Sequence, residues 1–220
     1  MSEQTLATFA GVALLERAID YALGSLRIVT PATLCRATPC AGWNLQHLLD
    51  HMADSLQTLN DAATGRISPP RENRVSGGAC DTAGGRISPP PVGGVSRGAG
   101  RNPALLVRDG ATEVLGLWSG TLTGNGMIAI ADRHLTSPMV AAAGAIEIAV
   151  HGWDVARACG EQRPIPSLMA EELLDLAQLF VTGSDRPHRF APRVTVPPHA
   201  PAQDRLLAYL GRDPNCPASP

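Results

Sequence analysis

The stretch from Pro138 to Cys159 constrains this chain more than any other. Most of its side chains are Ala, Val, Ile or Gly, and the only charged or strongly polar ones are Glu147, His151, Asp154 and Arg157. A helix that is apolar around nearly its whole circumference has to be covered on all sides, so the stretch predicts a central helix packed by others. Ser137 opens it as an N-cap followed by Pro138 at the first helical position, and Gly160 ends it.

The covering helices are legible from their periodicity. Val12, Leu15, Ile19, Ala22 and Leu26 recur at helical spacing within a segment from about Thr5 to Val29, which Pro31 stops. Leu45, Leu48, Leu49, Met52, Leu56 and Leu59 form an amphipathic stripe from about Asn44 to Ala63, with Asn44 as its cap. A third helix is expected over Pro103–Leu122, with Val107, Val114, Leu117 and Trp118 facing inward and Gly110 and Gly116 weakening it. A fifth segment runs from Ser167 to Val181, and a short one from Gln203 to Leu210. A short extended stretch, MIAIAD, follows Gly126. Long helices with almost no strand pattern predict an all-α fold, a four-helix bundle.

Residues 64–102 break the pattern: they hold no Leu and no aromatic residue, and carry six Arg against two acids among Gly, Pro and Ser. GRISPP occurs at Gly65–Pro70 and again at Gly85–Pro90. Two copies are too few for a stacked repeat, so a duplication within a flexible insertion fits better, a linker first and a lid over a site second. Residues 184–220 form a Pro-rich C-terminal extension.

A net charge of −2 offers no electrostatic reason to expect nucleic acid or an anionic membrane surface as a partner. All 18 basic residues are Arg, which with abundant Gly, Pro and Ala suggests a GC-rich bacterial genome. Cys35, Cys40, Cys80, Cys159 and Cys216 are scattered and contain no CxxC, which predicts reduced thiols and no disulfide framework. The start, MSEQTLATF, lacks a basic leader and an apolar signal core, and the fully apolar runs fall well below the ~18–20 residues of a membrane span. These features predict a cytoplasmic protein with no membrane partner.

The chemistry is expected where polar groups interrupt the central helix. A carboxylate buried without a partner costs several kcal/mol or shifts its pKa until it is neutral, so Glu147 needs one. His151 is one turn on, with Cβ atoms roughly 5–6 Å apart, and the pair serves either as a structural hydrogen bond or as two ligands of a divalent metal. The second helix carries His47 and His51, again four apart. At roughly 100° per residue His51 falls on the border of the apolar stripe and His47 further round toward solvent. His51, Glu147 and His151 together make a two-imidazole, one-carboxylate set, the donor chemistry of a metal site with an open position. His134, His188 and His199 fall in loops or the Pro-rich tail and are expected to be exposed or loosely packed. Asp154 either orients an imidazole or pairs with Arg157, and Trp43, Trp153 and Cys159 read as packing residues.

TPCAGWNLQHLLDHM at Thr38–Met52 and EIAVHGWDVARACG at Glu147–Gly160 resemble the two signatures of DinB-like metal-binding proteins related to the mycothiol-dependent maleylpyruvate isomerase N-terminal domain. APAQDRLLAYLGRDP at Ala200–Pro214 is similar to the end of the single-domain actinobacterial branch. The resemblance implies a DinB-like four-helix bundle with the metal between helices, zinc foremost and nickel or iron less often. It carries the ligands onto His51, Glu147 and His151, while His47 departs from the pattern. It also implies mycothiol, a low-molecular-weight thiol, as cosubstrate. The tail beyond Ser184 is too short for the isomerase's second domain, so maleylpyruvate is not carried over as the substrate.

The resulting expectation is a metal-dependent enzyme for S-transfer to, or isomerisation of, a small electrophile, with His51, Glu147, His151 and Asp154 as site residues and a homodimer as one option for its assembly. The alternatives are a metal-dependent hydrolase acting through a zinc-bound water and a non-catalytic metal-binding bundle.

Overall fold

The computed structural model describes residues 3–40, 42–64, 102–120, 127–130, 133–186 and 189–216. Six α-helices carry the described chain: α1 (Glu3–Leu26), α2 (Leu45–Ala63), α3 (Pro103–Gly120), α4 (Ser137–Ala158), α5 (Ser167–Phe180) and α6 (Ala202–Tyr209). Two four-residue strands, β1 (Met127–Ile130) and β2 (Arg133–Thr136), pair antiparallel with Met127 opposite Thr136 and Ile130 opposite Arg133. The expected extended stretch is β1; its partner Arg133–Thr136 is too short to show an alternating pattern and gains its strand character from its neighbour. The 65–101 part of the expected insertion lies outside the described residues.

α4 is the central rod. It packs against α1 along most of its length, and against α2 and α5 on other sides, with α3 completing the bundle against α2. Val12, Leu15, Ile19, Ala22 and Leu26 of α1 are buried, as are Leu45, Leu48, Leu49, Met52, Leu56 and Leu59 of α2. On α3 the buried stripe is Ala104, Val107, Ala111, Val114 and Trp118, whose indole donates to the Leu59 carbonyl at 3.3 Å. By length and composition α4 could cross a membrane, but 83% of its apolar window is buried inside the fold, as a core helix requires.

The helix ends follow from local chemistry. Asn44 Oδ1 accepts the His47 backbone N–H at 2.9 Å and caps α2. The α4 cap is Thr136 and not Ser137, which places Pro138 one position further into the first turn, still before the helix needs its N–H. At the other end Gly160 N–H bonds the Arg157 carbonyl and Glu161 N–H the Ala156 carbonyl, at 3.0 and 2.9 Å, with Gly160 at φ 87°. This pair of bonds is a Schellman stop.

One cysteine departs from expectation. Cys35 is disulfide-bonded, while Cys40 and Cys159 are free thiols. The sequence spacing could not reveal this, because pairing depends on which chain segments the fold brings within Cα reach.

Small residues set how closely α1 approaches α4. A Cβ on Gly152 would lie 3.0 Å from the Ala22 Cα and 3.1 Å from its Cβ. Gly152→Val should therefore overpack this seam and destabilise the protein by about 1–3 kcal/mol, read as a lower denaturant midpoint in circular dichroism. An unchanged midpoint would show that the seam is not closely packed.

Candidate metal centre

α2 and α4 face each other so that one border of the α2 stripe looks onto the polar turn of α4. There His51 Nε2 lies 2.5 Å from Glu147 Oε1 and His151 Nε2 lies 3.2 Å from the same oxygen. Ser55, one turn beyond His51, donates to that oxygen at 3.1 Å. The donor atoms of His51, Glu147 and His151 all lie within 4.8 Å of one another. Three lone-pair-bearing atoms from two helices thus converge on a common point, which fits a small divalent cation.

The site is open on one side. The His51 and Glu147 side chains keep 29% and 32% of their surface exposed, whereas His151 keeps 6%. Trp43 walls it, edge-on to the His51 ring at 4.7 Å and stacked on the His151 ring at 6.3 Å. A tight turn delivers this indole: Trp43 N–H bonds the Cys40 carbonyl at 3.1 Å, with Gly42 at φ 83° inside it. Trp43 therefore does more than fill core. Trp153 is buried, as packing requires.

Behind the site, His151 Nδ1 lies 2.9 Å from Asp154 Oδ2, and Asp154 is fully buried. That contact fixes which imidazole nitrogen faces Glu147. Asp154 pairs with Arg212 at 3.1 Å; the alternative bridge to Arg157 is not made, because Arg157 lies over the Trp153 ring and donates to the Cys216 carbonyl. His47 and His199 are exposed. The side chains of His134 and His188 lie outside the described residues. Cys159 bonds the Thr33 hydroxyl at 3.8 Å, away from the cluster.

A second donor set, Cys40, His151 and Asp154, is equally compact. It is the poorer cation site. Burial pushes the Cys40 thiol up to about 11, so it keeps its proton, and Asp154 Oδ2 is already shared by His151 and Arg212. Ser55 was findable from its i+4 spacing to His51. Arg212, 58 residues from Asp154, carries no such signal.

The electrostatics are those of a tightly coupled cluster. Burial works against the Glu147 carboxylate, but the His151 and His51 imidazoles outweigh it and hold its pKa well below the ordinary range. Burial also opposes a charged His151, yet Glu147 and Asp154 raise it to about 9. In the metal-free protein His151 is therefore protonated at neutral pH, and a cation has to displace that proton.

Two opposite pH slopes follow. The raised His151 pKa stabilises the metal-free fold fully below about 6.5, and this is lost as pH rises through about 9. Zinc binding strengthens over the same interval, because fewer protons compete. Thermal melts with zinc and with EDTA should diverge from pH 6.5 to 9, the EDTA curve falling; a constant gap would exclude competition at His151.

The family model of the mycothiol maleylpyruvate isomerase N-terminal domain matches residues 15–156, which hold α2, α4 up to Ala156 and every donor of the cluster. No curated protein and no solved structure matches the chain. With the match covering more than half of the sequence, the chain belongs to the mycothiol maleylpyruvate isomerase N-terminal domain family, whose members are DinB-like metal-binding proteins.

Proposed function

We propose that this protein holds a divalent cation, zinc in the first place, through His51, Glu147 and His151, and uses a low-molecular-weight thiol of the mycothiol type to transfer sulfur to, or isomerise, a small electrophilic metabolite. The observation that carries the reading is the convergence of three donor atoms within 4.8 Å beside an open rim. The family's description, which names mycothiol, supports the choice of cosubstrate.

A divalent cation in a site with a free position supplies Lewis acidity, which lets a thiol be present as thiolate, its nucleophilic form, at neutral pH. The protein's own groups provide the rest. Asp154 holds the proton on His151 Nδ1, so Nε2 keeps its lone pair toward the cation. Ser55 donates to Glu147 Oε1 and fixes the carboxylate's rotation. Trp43 covers the two imidazoles and keeps bulk water off that side, which strengthens the electrostatics within. The rim at His51 and Glu147 leaves room for a thiol and an electrophile to meet. Thiolate addition across an activated double bond breaks its π bond, and expulsion of the same thiolate after rotation gives isomerisation; a proton taken up at the neighbouring carbon, or loss of halide from a halogenated electrophile, gives the thioether conjugate.

The test is direct. Zinc-loaded protein incubated with mycothiol and α,β-unsaturated or halogenated electrophiles should yield thioether conjugates or rearranged product by mass spectrometry. His51→Ala and His151→Ala should each lose stoichiometric zinc and lower turnover by at least about 100-fold, in line with loss of a ligand rather than of a supporting contact. Hydrolysed product formed by loaded protein without any thiol would replace this reading with a metal-dependent hydrolase.

A further inference from the structure

The chain's C-terminal segment reaches the metal centre from outside the matched 15–156 region. α6 ends in a second Schellman stop: Gly211 N–H bonds the Ala208 carbonyl at 3.1 Å and Arg212 N–H the Leu207 carbonyl at 2.8 Å. Gly211 sits at φ 81°, and a Cβ there would lie 2.7 Å from the Ala191 Cβ and 2.8 Å from the Ala191 carbonyl oxygen. Conformation and space both demand glycine at this reversal. The residue it delivers is Arg212, whose side chain is 11% exposed and whose Nη2 lies 3.1 Å from Asp154 Oδ2. The guanidinium's other anchor is the Leu210 carbonyl, 3.1 Å from Nη1.

Stability is a poor reason for this arrangement. A buried ion pair often stabilises no better than apolar residues of equal volume, because both charges lose their water. Here the pair also leaves Asp154 Oδ1 and Arg212 Nε without partners among the described residues. What the arrangement does provide is a fixed Asp154. The oxygen that Arg212 holds is the one bonded to His151 Nδ1, so guanidinium, carboxylate and imidazole form one rigid line ending at the donor cluster.

We infer that Arg212 is a positioning residue of the metal centre, acting through Asp154 to hold the Nε2 lone pair of His151 on the cation, so that the centre is complete only with the C-terminal segment in place. The inference rests on the metal-centre reading above. Arg157, the nearer arginine in sequence, does not substitute, since its guanidinium is turned to Trp153 and the Cys216 carbonyl.

A double-mutant cycle read by zinc affinity tests it. Zinc dissociation constants would be measured by chelator competition on full-length native protein, Arg212→Gln, Arg212→Lys, Asp154→Asn and the Arg212→Gln/Asp154→Asn double variant, with cobalt absorption spectra reporting ligand geometry. Removing such a supporting partner should weaken zinc binding by about 10–100-fold in Arg212→Gln and alter the cobalt spectrum. Arg212→Lys, which keeps the charge, should recover most of the loss. The double variant should bind no worse than Asp154→Asn alone, because Arg212 then has nothing to act through. Native-like zinc affinity in folded Arg212→Gln would overturn the inference, as would multiplicative losses in the double variant. Should Arg212→Gln fail to fold with Asp154 left facing no cation, the comparison of Asp154→Asn with the double variant decides: a further loss overturns, none supports. A native protein that takes up no zinc overturns the metal reading as well, whereas zinc-binding native protein with an indifferent Arg212→Gln overturns this inference alone.

Discussion

One carboxylate oxygen shared by two imidazoles is the contact on which the rest of this structure depends. Glu147 Oε1 takes His51 at 2.5 Å and His151 at 3.2 Å in the middle of a largely apolar helix. The carboxylate, part of which stays exposed at the rim, takes its partners from two helices. The registry of α2 against α4 is therefore constrained by polar chemistry at one turn and by leucine packing along the others.

The surrounding architecture reads as support for that contact. Gly152 lets α1 lie close against α4. The Asn44 cap starts α2 one turn before His47 and two before His51, which sets the rotation of the imidazole-bearing face. The turn preceding it carries Trp43 onto both rings. Behind α4, Asp154 and the Arg212 that a glycine-dependent reversal inserts close the cluster from its buried side. The open side is left to His51 and Glu147, which is where small molecules have access.

This division between a rigid buried back and an accessible front suits a site that holds a cation and admits ligands to it. Electrostatics agree, since the metal-free cluster keeps a proton on His151 with a pKa of about 9, a positive charge standing where a cation would otherwise balance Glu147 and Asp154. The chain's family is a metal-binding one, and the matched region contains this cluster.

Much of this was legible in the residues themselves. Period-3.6 leucines specified α1 and α2, the near-absence of polar groups made α4 central, and the spacings of His51 and of Glu147 with His151 placed donors on facing borders, because helical geometry turns sequence separation into angular position without reference to the rest of the chain. Contacts between segments far apart in sequence were not legible. Whether Asp154 would pair with Arg157 or with Arg212, whether Cys35 would find a disulfide partner, and whether Trp43 would fill core or wall the cluster depended on which loops the fold brought together. Local sequence determines the faces of helices, through backbone geometry alone; only tertiary packing decides which distant charge is close enough to offset the desolvation of another.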